Sequence, residues 1–250
     1  MNKRFDTKNY EFNVSSKNGV LIIHGFSSTT YEVKELAEFL GINGYHSIAK
    51  NLPGHGTTVE NCNKIQYHDW LYFVKEEIAK LVSQSEKTYV IGCSMGAVLA
   101  LYGASSFPLN GCVVGGTVLD FNNPFTINYI IPLLSSIIKK RNKKSMQSEK
   151  QTDKVRFYGY DEYPLIALNE MRKLNKFVKK KLSKVKCPSL IIHSHADSMS
   201  LIKNVRIVYD SINSKKKERK FVNKAHHNLF DDNPDQQLIF NKILSFLNNN

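Results

Sequence analysis

What this sequence lacks removes several classes of protein at the outset. No run of roughly 18 consecutive apolar residues occurs, so no membrane-spanning helix is expected. The opening stretch, MNKRFDTKNYEF, carries charge with no apolar run behind it. That is not the pattern of a secretory leader, and a cytoplasmic location is expected. Cysteine is scarce: Cys62, Cys93, Cys112 and Cys187 are scattered and form no CxxC pair. Neither a disulfide framework nor a metal site is expected from them, and they read as free thiols in or near a core. There is no internal repeat. Acidic residues are in deficit, 22 against 35 basic, which leaves a net charge of +13. The basic excess is mostly lysine, concentrated in KKRNKK (139–144), KKKLSKVK (179–186) and KKKERK (215–220). Aromatic residues are not interleaved with these runs, so no nucleic-acid partner is expected. They read as a solvated face, with at most weak contact with an anionic membrane.

What is present is 250 residues, 42% of them hydrophobic, enough to bury the core of one α/β domain. Short β-branched runs alternate with amphipathic stretches. GVLIIHGF (19–26), KTYVIGC (87–93), NGCVVGGTVLD (110–120), CPSLIIHSHAD (187–197) and ERKFVN (218–223) read as strands. Helices are expected over 31–45, 68–84, 94–106, 202–212 and 234–247 from their apolar spacing. This alternation predicts an α/β fold, a mostly parallel central sheet flanked by helices. Ligands of such sheets sit beyond the carboxyl ends of the strands. The segment 121–185 breaks the alternation and reads as an inserted helical cap between core segments 1–120 and 186–250.

The stretch VIGCSMGA (90–97) sets a thiol and a hydroxyl side by side between glycines. A strand that turns sharply into a helix crowds the positions two residues before and after its central residue, and those must be small. Centred on Ser94 the flanks are Gly92 and Gly96. Centred on Cys93 they are Ile91 and Met95, which do not fit. Ser94 is therefore the candidate nucleophile and Cys93 a packing residue. A serine hydroxyl needs a base, and the base needs a carboxylate to orient it. Asp197 follows the strand of 187–197, and His226 and His227 follow the strand of 218–223, in the order expected of this fold. Asp120, at the end of the strand of 110–120, is a rival acid. The oxyanion needs two backbone N–H donors, for which Met95 and Phe26 are expected. His24 is given no catalytic role.

With HGF at 24–26, PGHG at 53–56, GCSMG at 92–96, Asp197 and HH at 226–227, the chain resembles the α/β-hydrolase superfamily over nearly its whole length. Within it, the chain is most similar to small bacterial carboxylesterases and monoacylglycerol lipases. The resemblance implies hydrolysis of short to medium acyl esters or monoglycerides without metal or organic cofactor. It also implies an acyl pocket under the cap, lined by some of Phe26, Phe125, Ile130, Ile131, Leu133 and Leu134. Departures from the family pattern are Ala97, the DSMSLI stretch after the acid, and Ala225 before the histidine pair. In the resembling lipases an acidic residue commonly lies five positions beyond the catalytic histidine. Asp231 and Asp232 satisfy that for both frames. His226 is chosen as the base because the small Ala225 precedes it. The alternative activity is a thioesterase or acyltransferase using the same three groups. A non-catalytic lipid-binding protein would not need all three.

Overall fold

The computed structural model describes residues 4–143 and 159–250. Seven strands form one sheet: β1 (Tyr10–Phe12), β2 (Asn18–Ile23), β3 (His46–Ala49), β4 (Lys87–Cys93), β5 (Gly111–Gly115), β8 (Ser189–Ser194) and β9 (Lys217–Val222). Their order is β1-β3-β2-β4-β5-β8-β9. All neighbours are parallel except β1, which runs antiparallel to β3 at the edge. This is the mostly parallel α/β architecture that the alternation predicts. A separate antiparallel pair, β6 (Lys140–Asn142) and β7 (Glu162–Pro164), lies outside the main sheet.

The central strands are apolar at consecutive positions because both faces of the sheet are covered. Successive side chains go to opposite faces. Leu21 and Ile23 enter one core and Val20 and Ile22 the other; Val90 enters the first, Tyr89 and Ile91 the second. The first core is closed by α3 (Tyr67–Gln84), α4 (Met95–Ser106) and α6 (Leu165–Lys179), and the second by α1 (Lys34–Ile42) and α8 (Gln236–Asn248). Helix α4 is buried on every side from Met95 to Leu101, because it is packed by the sheet, α3 and α6 at once. That placement explains its small, uniformly apolar sequence. Helix α7 (Lys203–Ser211) packs beside β8.

The segment expected as a cap is built of two parts. Its last helix, α6, lies against α3 and α4 and buries Leu165, Leu168, Met171, Leu174 and Val178 in the first core. The described part before it holds a π-turn (Thr126–Ile130), the short α5 (Ile131–Leu134) and the β6–β7 pair. Helix α2 (Val59–Cys62) contacts β7. Among the described residues no helix is long and apolar enough to cross a membrane.

Candidate active site

Ser94 sits between β4 and α4 with φ 57° and ψ −116°, in the left-handed region that costs a non-glycine residue strain. The tightness of this turn is visible at its flanks. A Cβ on Gly92 would lie 2.1 Å from the Gly96 carbonyl oxygen, and one on Gly96 would lie 2.1 Å from the Ile23 carbonyl oxygen. Both obstacles are backbone, so only glycine fits at either position. Cys93 points the other way, into the core under α1 and α8. Burial, with Glu32 next in weight, pushes its thiol well above the ordinary range.

His227 joins Ser94 to Asp197. Its Nε2 accepts from the Ser94 hydroxyl at 2.9 Å, and its Nδ1–H donates to Asp197 Oδ2 at 2.9 Å and Oδ1 at 3.1 Å. The Asp197 carboxylate also accepts the Met199 and Ser200 N–H groups at 2.8 and 2.9 Å. Burial alone would raise the pKa of Asp197, but His227 and these N–H donors together lower it. Burial alone would lower that of His227, but the Asp197 carboxylate and its hydrogen bond outweigh it and raise it above the ordinary 6.5.

This corrects the choice of His226. His226 is exposed, and its Nδ1 lies 3.4 Å from the Ala196 carbonyl oxygen, not against Ser94. Residues 225–227 alternate in direction: Ala225 turns into the core, His226 to solvent and His227 back inward. Direction, not the bulk of the preceding residue, selects the histidine. The buried set Ala225, His227 and Leu229 has a period of two, and that was the available sequence signal. The rival acid, Asp120, is engaged elsewhere, ion-paired with Lys179 and Lys203.

The loop after β2 is braced from below. His24 Nδ1–H donates to the Gly25 carbonyl at 2.8 Å and its Nε2 accepts the Leu52 N–H at 3.1 Å. His55 Nε2 accepts the Ser27 N–H at 3.1 Å while its Nδ1–H faces the Pro53 carbonyl at 3.2 Å. Burial holds His24 down to about 4, and burial together with His24 holds His55 well below its ordinary value, so both braces stay neutral. These bonds fix the backbone around Phe26. Met95 is the first residue of α4, where a helix leaves its N–H without an intrahelical acceptor.

Ser94 and His227 open into a cavity of about 440 Å³. Its walls include Phe26, Val118, Phe121, Ile127, Leu168 and Met171. Asn122, Asn123, Ser198 and Asn228 supply polar edges, and Lys143, which burial lowers to about 7, lies against the Ser27 carbonyl. Of the expected acyl-pocket residues, Phe26 lines this cavity and Phe125, Ile130, Ile131, Leu133 and Leu134 do not. Phe125 and Leu133 are 64% and 71% exposed on the outer side of their turn, and Ile131 packs into the first core. The turn Thr126–Ile130 contributes Thr126 and Ile127 instead, and the remaining apolar wall comes from α6, the loop after β5, Tyr163 of β7 and Met199 after β8. Among the described residues no group of three or more His, Cys, Asp or Glu side chains is arranged to hold a metal ion.

The chain is similar to known lipases and esterases. Residues 15–234 match the family model described as serine aminopeptidase, S33. The chain is 30% identical over 234 residues to a thermostable monoacylglycerol lipase of Bacillus sp. (strain H-257), covering 91% of this chain and 89% of that one. It is 22% identical to a carboxylesterase of Bacillus subtilis (strain 168), covering 91% of each. Among solved structures, one reported for the metagenome-derived lipolytic enzymes LipS and LipT superposes with a TM-score of 0.86 at 24% identity, covering 98% of both chains. The monoglyceride lipase of Saccharomyces cerevisiae, solved with a substrate analogue, superposes with a TM-score of 0.75 at 19% identity, covering 96% of this chain and 90% of that one.

Proposed function

The chain belongs to the serine aminopeptidase S33 family of α/β-hydrolases, and from that premise we propose that it is a serine esterase of the carboxylesterase and monoacylglycerol lipase type, with Ser94, His227 and Asp197 as its catalytic triad. The observation that carries this reading is the unbroken hydrogen-bonded line from Asp197 through His227 to Ser94, ending at a largely apolar cavity. Ser94 Oγ attacks the ester carbonyl carbon as its proton passes to His227 Nε2. Asp197 stabilises the imidazolium that results. The oxygen that becomes negative is received by the Phe26 and Met95 N–H groups. His227 then protonates the departing alkoxide, and water repeats the sequence to release the acid from Ser94.

A cavity of this size lies within the range of small-molecule pockets, roughly 300–1,000 Å³. It suits a short to medium acyl chain or a monoglyceride. Residues 121–143 and 159–164 serve as the cap in this reading, with α6 counted among the helices of the core. The four buried thiols fit a reducing compartment, the cytoplasm. The relatives called lipase and carboxylesterase favour oxygen esters over a thioester substrate. The test compares hydrolysis of glycerol and alkyl esters across acyl length, with matched thioesters, together with labelling by a serine-reactive fluorophosphonate. Labelling at Ser94 with turnover highest on short to medium oxygen esters is expected. A preference for emulsified long-chain triglycerides, or for thioesters, would overturn the assignment.

A further inference from the structure

Beneath the loop after β2 sits a carboxyl group that the esterase chemistry above does not use. Glu32 ends the 3-10 turn Thr30–Glu32, is 2% exposed, and accepts the Gly25 N–H on Oε2 at 2.7 Å. That N–H belongs to the His24–Gly25 peptide. The next peptide is held from its other edge: the Gly25 carbonyl accepts from His24 Nδ1–H at 2.8 Å and from the Ser28 N–H at 3.3 Å. A peptide is planar and trans, so fixing the Gly25 carbonyl fixes the direction of the Phe26 N–H. Both peptides that meet at Gly25 are therefore tied down, and Glu32 holds the first. Without that tie, rotation is easy at a glycine. The carboxyl is also close to the nucleophile. A Cβ on Gly25 would lie 3.1 Å from Glu32 Oε2 and 3.1 Å from Ser94 Cβ.

We propose that Glu32 is a positioning residue of the oxyanion loop, its carboxyl oxygen holding the Gly25 N–H at the base of the loop that presents the Phe26 N–H. This rests on the roles given above to Ser94 and Phe26. The buried Ser28 hydroxyl lies beside the carboxyl as a second hydrogen-bonding group. The titratable groups that face Glu32 are His227 and Asp231 from the loop after β9, Cys93 from β4 and Lys143 beyond β6. The Gly25 N–H, His227, the Ser28 hydroxyl and Lys143 favour its charged form, and Asp231 and Cys93 oppose it. Burial is the largest influence and raises its pKa.

The test uses the full chain and two variants, Glu32→Ala and Glu32→Gln, with active sites counted by fluorophosphonate labelling so that misfolded protein does not enter kcat. Failure of the wild-type chain to label would be a failure of the esterase reading itself, separate from this proposal. Glu32→Ala is expected to lose roughly 10- to 100-fold in kcat per labelled site, the scale of a misdirected donor, with KM within about threefold. Glu32→Gln, which keeps the acceptor and carries no charge, is expected to retain kcat within about threefold. Wild-type kcat in Glu32→Ala would remove the positioning role. A fall in Glu32→Gln as deep as in Glu32→Ala would show that an acceptor for the Gly25 N–H is not what the residue supplies. The Gln variant keeps the proposal testable if the Ala variant does not fold.

Discussion

The residue on which the proposed mechanism most depends is His227, one position from the histidine that the small Ala225 favoured. Replacing His227 with Ala should cost at least about three orders of magnitude in kcat on a soluble ester. His226→Ala should cost less than about tenfold, because its ring faces solvent. The reverse ranking would return the base to His226. Acidity gives a second check on the same residue. The pKa of His227 is raised, so protonation that removes the base sets in above pH 6.5. The acid limb of kcat/KM should accordingly fall above that value, activity being lost as pH decreases through it. A limb below 6.5 would mean that the Asp197 pairing does not dominate. Ser94 and Asp197, the other members of the proposed triad, are announced in the sequence by their elements: a glycine-flanked turn and the end of an apolar strand. His227 was not, because the choice turned on which way consecutive side chains point after β9. Glu32 was not legible either. Its carboxyl is brought under Gly25 by a 3-10 turn that no periodicity marks.

At the scale of elements, the turn between β4 and α4 couples stability to chemistry. Gly96→Ala would drive a Cβ to within 2.1 Å of the Ile23 carbonyl and 2.6 Å of the His24 carbonyl, both backbone. The end of β2 must then shift, and the oxyanion loop shifts with it. We expect a loss of about 1–3 kcal/mol in stability or more, and roughly 100-fold in kcat per labelled Ser94. Gly103→Ala, on the same helix, meets only the flexible tip of Ile78, at 2.4 Å. It should leave kcat unchanged while stability moves by about 1 kcal/mol or less, the helix propensity gained offsetting the crowding. Thermal denaturation beside kcat separates the two, and an unaffected Gly96→Ala would contradict the crowding seen at the elbow. The central strands were legible because burial on both faces leaves apolar runs with clear ends. The strands β1, β6 and β7 have three residues each, too few for a period to show. Helix α6 was legible as a helix but not as a core element. Its apolar stripe says that a surface is met, and only the fold says that the surface is α3 and α4.

At the scale of the whole molecule, the net charge of +13 and the exposed apolar residues beside the cavity bear on how the protein meets lipid. Tyr129, Leu133 and Ile137 are 63%, 71% and 77% exposed. Each lysine near an anionic surface contributes about 1 kcal/mol, and the attraction fades over a Debye length. Sedimentation with vesicles should show weak association with anionic lipid in dilute salt, abolished near 1 M salt, where that length is about 3 Å. Tight binding to neutral vesicles in high salt would replace charge with apolar insertion as the cause. The order of the strands has a further consequence, one of timing. Ser94 ends β4, while His227 arrives 133 residues later, after β9 has paired with β8. No local fragment carries the reactive line, and contacts between residues so distant along a chain form late. A newly made molecule therefore passes most of its folding as an inert chain. Recovery of turnover after denaturation clocks the docking of the last strand, not the collapse of the first core.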